Sequence, residues 1–115
     1  MATSIYWNKK EIYRSSNAIF NGFYNLMVDL IVIKNIILNE NLNELIDNLD
    51  LCGSGWNLEL ADYLHLKEDF QVFISLVKQT LDKMYNDIPN LSEDYKKIYD
   101  QFYKGLLEAQ SSFKN

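Results

Sequence analysis

Three side chains of the types used in nucleophilic catalysis lie in the middle of the chain. Cys52 is the only cysteine and His65 is the only histidine, and Asp62 precedes His65 by three residues. A cysteine nucleophile, a histidine base and an aspartate that orients the base would together catalyse acyl transfer. However, no oxyanion-hole or other catalytic motif accompanies these residues. We therefore interpret His65 as a structural residue and predict that the chain is not an enzyme.

The same region is too poor in ligands for a metal centre. Di-metal sites in helix bundles use a Glu-x-x-His motif from each of two helices. This chain has a single histidine, and the residue three positions before it is an aspartate. Glu59 and Asp62 could offer oxygen atoms to a hard cation, but nothing supplies the remaining ligands. The sequence also lacks a P-loop and a dinucleotide-binding motif, so we predict no cofactor and no metal.

The acidic residues are concentrated in the middle third of the chain. The whole chain has 11 basic and 16 acidic residues and a net charge of −5. Residues 35–69 contain eight acidic residues and a single basic one, Lys67. Glu40, Glu44 and Asp47 recur every three or four residues and would share a helix face, with Asp50 following. This face is either a solvated surface or a docking surface for a basic protein.

Aromatic residues lie beside the acidic run. Trp56 follows the glycine-rich segment 52–55, and Tyr63 comes shortly after it. Tryptophan and tyrosine are enriched at the energetic centres of interfaces, so an exposed Trp56 would anchor a partner; alternatively it folds back as a plug between helices. The predicted partner-binding residues are Glu40, Glu44, Asp47, Asp50, Trp56, Glu59, Asp62 and Tyr63.

The spacing of the apolar residues predicts helices through most of the chain. We expect the first helix to begin at Asn8, with Glu11 completing a capping box, and to extend toward residue 38. Residues 15–17 and Gly22 are points where it could kink or split, and the sequence leaves its continuity open. The β-branched residues between 28 and 37 make a short strand the alternative there.

The remaining helices have clearer end signals. Asn41 can cap the second helix, which ends at the 52–55 loop. A third helix over 57–66 leads, with or without a break, into a longer one that Pro89 ends. Ser92 caps the last helix. Because the chain has only 4 glycines and 1 proline, we predict an all-α fold, a single domain over 1–115 forming one antiparallel bundle of four to five helices.

Composition also limits the compartment and the partners. Residues 19–38 are the best membrane candidate, but Asp29 and Lys34 would each cost about 2.5–3.5 kcal/mol there, so we interpret the segment as a buried core helix. Residues 1–10 lack the apolar segment of a secretion signal, and an unpaired cysteine fits the reducing cytoplasm. Arg14 is the only arginine in an acidic chain, so we expect no direct contact with nucleic acid.

The Asn8–Glu11 cap, the acidic run from Glu40 to Asp62 and the helical pattern without catalytic residues resemble small bacterial immunity proteins. These proteins bind and block the nuclease domain of a toxin. The resemblance implies a cytoplasmic inhibitor whose acidic helical face covers the active site or substrate path of a basic toxin domain. Two alternatives stay open: a phage-encoded inhibitor of host defence, and a non-catalytic adaptor or scaffold whose apolar stripes complete a homodimer.

Overall fold

The computed structural model describes residues 2–111 and residue 113. The elements are β1 (Ala2–Trp7), β2 (Lys10–Ser16), α1 (Asn17–Ile33), α2 (Glu40–Cys52), β3 (Asn57–Glu59), a short 3₁₀ turn (Leu60–Asp62), α3 (Lys67–Asp87) and α4 (Glu93–Ser111). The predicted all-α bundle is therefore wrong. The fold combines four helices with a three-stranded sheet and belongs to the α+β class.

The sheet has the strand order β2-β1-β3, with β1 in the centre. β1 pairs antiparallel with β2 and parallel with β3. The predicted helix start at Asn8 is wrong, because Asn8 and Lys9 form the two-residue turn between β1 and β2. Both have positive φ, 49° and 70°, which is the conformation of a type I′ hairpin turn. Asparagine favours both helix caps and such turns, so its presence did not distinguish the two.

Helix α1 is shorter than the predicted first helix. It begins after Ser16, whose hydroxyl accepts a hydrogen bond from the Ile19 amide at 3.3 Å. It ends at Ile33, and Asn35 then adopts a positive φ of 52° that turns the chain away. The first helix is therefore not continuous to residue 38. Within the described residues, every helix is too short or too polar to cross a membrane.

Helix α2 carries the acidic residues, and its first turn is fixed to α3. Asn39, not the predicted Asn41, caps the helix by accepting a hydrogen bond from the Leu42 amide at 2.9 Å. The side-chain amide of Asn39 also donates to the buried carboxylate of Asp69, at 2.7 Å. The predicted end of α2 at Cys52 is confirmed.

The predicted helix over 57–66 is wrong, since this segment forms β3 and the 3₁₀ turn. Leu58 and Leu60 are buried, which is the alternation of a strand. In a segment this short, such alternation cannot be distinguished from helical spacing. The end of α3 before Pro89 and the start of α4 after Ser92 are confirmed.

The core lies between the sheet and the helices and is rich in aromatic side chains. Tyr13 of β2 contacts Phe20 and Phe102 edge to face, with ring centroids 5.7 and 5.0 Å apart. Gly105 allows α4 to approach β2 closely, because a Cβ at this position would lie 3.1 Å from the Cβ of Ile12. The sheet and α4 thus hold one side of the core, and α1, α2 and α3 enclose the rest.

Candidate partner-binding surface

Helix α2 separates apolar and acidic side chains onto opposite faces. Its buried face consists of Leu42, Leu45, Ile46, Leu49 and Cys52. The opposite face exposes Glu40, Glu44 and Asp47 at helical spacing, and the half-exposed Leu51 continues the same line. We call these four residues the α2 stripe; Asp50 is exposed at its flank. Leu51 is not among the residues predicted from the sequence, although its position four residues after Asp47 would place it on the same helix face.

The carboxylates of this region have no lysine or arginine partner in the part of the chain that the structure describes. The five salt bridges there join other residues: Lys10 to Glu108, Arg14 to Glu11, Lys78 to Asp82, Lys83 to Asp87 and Lys96 to Glu93. Five acidic residues elsewhere are thus compensated, whereas the carboxylates of the α2 stripe, Asp50 and Asp62 have no ion-pair partner among the described residues. Their negative potential is directed to solvent.

Tyr63 marks the place where carboxylates of two elements come together. Burial raises the pKa of its hydroxyl above the ordinary value, and the nearby carboxylates of Glu44 and Asp62 raise it further. Glu44 belongs to α2, whereas Asp62 ends the 3₁₀ turn. Three of the predicted site residues, Glu44, Asp62 and Tyr63, are therefore close enough for the two carboxylates to act electrostatically on the tyrosine.

Tyr24 of α1 has a similar position near two other carboxylates of α2. Burial is the largest cause of the raised pKa of its hydroxyl, and the negative charges of Asp50 and Asp47 raise this pKa further. The hydroxyl donates a hydrogen bond to the Ile46 carbonyl at 3.0 Å. Sequence reasoning missed Tyr24 because its proximity to α2 arises from the packing of two helices, which no spacing within one helix reveals.

Glu59 differs from the other predicted partner-binding carboxylates because it forms hydrogen bonds within the fold. Its two oxygens accept hydrogen bonds from the backbone amides of Asn8 at 3.0 Å and Lys9 at 2.7 Å. A third bond comes from the Ala61 amide at 3.2 Å. Glu59 thus holds the β1–β2 turn against β3, and its charge is already balanced by three N–H dipoles.

Trp56 lies on the surface, so the interpretation that it forms a plug between helices is wrong. Its side chain is 64% exposed. Gly53 lets the preceding loop lie against α1, since a Cβ there would overlap the side chain of Asn21. Trp56 comes four residues after Cys52, the last residue of α2, and Leu51 near the end of α2 is also half exposed.

The arrangement offers no support for cysteine chemistry. Cys52 is buried, and burial raises the pKa of its thiol to about 11, whereas a nucleophilic cysteine needs a lowered pKa. His65 is exposed to solvent. Among the described residues, no group of three or more histidine, cysteine, aspartate or glutamate side chains could hold a metal ion. The uncompensated carboxylates of the surface would complement positively charged groups.

Comparisons of the chain with protein-family models, with curated proteins and with solved structures found no match.

Proposed function

We propose that the chain is a stoichiometric, non-enzymatic inhibitor that binds a basic protein partner in the cytoplasm through the α2 stripe. The partner class that fits best is the nuclease domain of a toxin, for which the chain would act as an immunity protein. The observation that carries the proposal is the lack of ion-pair partners for Glu40, Glu44 and Asp47 in the described part of the chain, while five other acidic residues are paired.

Electrostatics supports binding more than stability at this surface. Like charges three or four residues apart on a helix destabilise it by a few tenths of a kcal/mol per pair, about 0.2–0.5 kcal/mol. Uncompensated carboxylates raise the association rate with a cationic surface and fix the orientation of the complex. Nuclease clefts carry positive charge to bind phosphates, and carboxylates of an inhibitor can occupy such a cleft instead.

Apolar side chains at the C-terminal end of the stripe and in the loop after it can supply affinity that charge alone does not. Trp56 and Leu51 are both exposed near the end of α2. A central aromatic anchor surrounded by polar contacts is the usual arrangement of energetically dominant interface residues. We expect Trp56 to be buried in the complex and Glu44, Asp47 and Asp62 to surround it. A phage-encoded inhibitor of host defence would use the same contacts.

The test replaces Glu44, Asp47 and Asp62 together by lysine. The matched control replaces Asp82, Asp94 and Glu108, which are exposed elsewhere, and changes the net charge equally. Each form is used to capture partners from cells of the source strain, and a partner identified by mass spectrometry is then titrated by calorimetry. We expect the α2-region variant to lose at least about tenfold in affinity and the control to bind normally. Equal binding by both variants would refute the proposal.

A second candidate function, a self-associating scaffold, is favoured by a different surface. Val32 and Ile33 in the last turn of α1 are each 73% exposed, and Ile37 in the connection to α2 is 91% exposed. A homodimer would bury such aliphatic side chains. Light scattering of the wild type and of Ile37→Lys separates the two functions. A dimer that the substitution dissociates supports the scaffold, and a monomer at all concentrations excludes it.

A further inference from the structure

A groove between α1, α3 and α4 is separate from the α2 stripe, since none of the stripe residues lines it. It has a volume of about 410 Å³ and is bounded by α1, the last turns of α3, the α3–α4 connection and the start of α4. Most of its wall is apolar and is formed by Ile19, Leu26, Met84, Ile88, Leu91 and Tyr95. Ile88 and Tyr95 remain substantially exposed in the folded chain. The fold itself therefore does not fill this groove.

Gly22 lies in the groove wall, in the middle of α1. A glycine inside a helix is less stable than an alanine, so its presence here calls for a reason. Packing within the chain gives none, since a Cβ at Gly22 would have no atom within 4 Å. Gly105 is the opposite case, where Ile12 occupies the space beside the glycine. The space beside Gly22 is thus open from the groove side.

The charged residues that line the groove determine which charge a bound ligand should carry. Asp29 and Asp87 line it, and no lysine or arginine does so among the described residues. Asp87 is partly compensated by Lys83 at 2.7 Å. None of the ion pairs in the described ranges includes Asp29, which is exposed. An apolar wall with an uncompensated carboxylate complements an apolar side chain that has a cation next to it.

We infer that this groove binds a short protein segment that inserts an apolar side chain beside Gly22 and places a lysine or arginine near Asp29. The apolar side chain fills the space that the glycine leaves open, and the cation pairs with the carboxylate at the rim. None of the α2 stripe residues takes part, so the groove is a second binding site that stands whether or not the proposed function is correct.

The test uses two capped pentapeptides that contain phenylalanine and leucine and differ in one residue, lysine in one and glutamate in the other. Backbone NMR shifts are followed during titration. The lysine peptide should shift the amides of Gly22, Leu26 and Ile88 and bind at least about fivefold more tightly than the glutamate peptide. With Asp29→Asn, this preference should fall below about twofold.

A filling substitution checks the role of Gly22 separately. Gly22→Leu places a side chain in the groove and improves helix propensity, so the urea midpoint should be unchanged or higher while the lysine peptide loses at least about tenfold in affinity. Gln71→Leu adds the same side chain at an exposed position of α3 outside the groove and should bind normally. Equal binding of the two peptides, shifts outside the groove, or normal binding by folded Gly22→Leu would overturn the inference. If Gly22→Leu does not fold, the peptide comparison with Asp29→Asn decides.

Discussion

Lys9 adopts a backbone conformation that residues with a Cβ rarely take, with a φ of 70°. Glycine is the usual residue at the second position of this type of turn. The turn is nevertheless stabilised, because the carboxylate of Glu59, 50 positions later, accepts a hydrogen bond of 2.7 Å from the Lys9 amide. At the scale of single residues, a long-range hydrogen bond thus offsets an unfavourable local choice.

Lys9→Gly should raise the free energy of unfolding by about 1 kcal/mol, since glycine removes the left-handed strain. Urea denaturation measures the change. Lys10→Gly, one residue later in β2, is the control and should lower the stability, because glycine weakens a strand. A loss of stability with Lys9→Gly would contradict the explanation.

Cys52 should react slowly with thiol reagents while the chain is folded. Its thiol is buried, and with a pKa of about 11 little thiolate forms near neutral pH. Thiol titration with a chromogenic disulfide, with and without urea, measures the rate. Ser54→Cys in the exposed loop provides an internal reference, which should react rapidly beside the slow native thiol. Equally rapid reaction of both would show that Cys52 is accessible.

At the scale of elements, the two helical glycines allow a paired prediction. Gly22→Ala should stabilise the fold by about 1 kcal/mol, because the added methyl group meets open space. Gly105→Ala should gain clearly less or lose stability, because its Cβ would lie 3.1 Å from Ile12. Urea midpoints of the two variants give the comparison. Equal gains would mean that α4 is not held close to β2.

Elements with strong signals at their ends could be predicted, and elements defined by distant partners could not. Pro89 and Ser92 identified the α3–α4 connection because their backbone preferences act locally. β3 escaped because its pairing with β1 joins residues about 50 positions apart, such as Ile5 and Leu58, whereas the local β1–β2 hairpin escaped because Asn8 also fits a helix cap. The spacing of Glu40, Glu44 and Asp47 did indicate a common face, and the structure has these residues on one face of α2. Tyr24 and the role of Glu59 could not be predicted, since both depend on tertiary packing.

At the scale of the whole molecule, buried and partly buried tyrosines make stability sensitive to alkaline pH. Burial raises the pKa values of Tyr13, Tyr85 and Tyr99 above the ordinary 10.0, to about 12 for Tyr99. The unfolded chain therefore releases these protons first, and stability is full below about pH 10 and falls as the pH rises toward the folded pKa values. Thermal unfolding from about pH 8 to about pH 11.5 measures this.

Tyrosinate absorbance identifies the groups responsible. Tyr99→Phe loses the hydrogen bond to the Ile19 carbonyl, 2.8 Å long, and should be less stable at neutral pH by about 1 kcal/mol. The stability of this variant should fall less steeply with rising pH than that of the wild type, because one titrating group has been removed. Tyr6→Phe, at a half-buried position of β1, is the control. A pH profile of Tyr99→Phe parallel to that of the wild type would contradict the assignment.

The central place of β1 affects how the chain emerges from the ribosome. The β1–β2 hairpin can close once Ser16 is free, whereas β3 begins at Asn57, 41 residues later. At about 5–20 residues per second, one side of β1 therefore offers unpaired backbone groups for roughly 2–8 seconds. The translation rate over this stretch therefore sets how long the unpaired edge of β1 is exposed. During this time it can pair with strands of other nascent chains on the same mRNA.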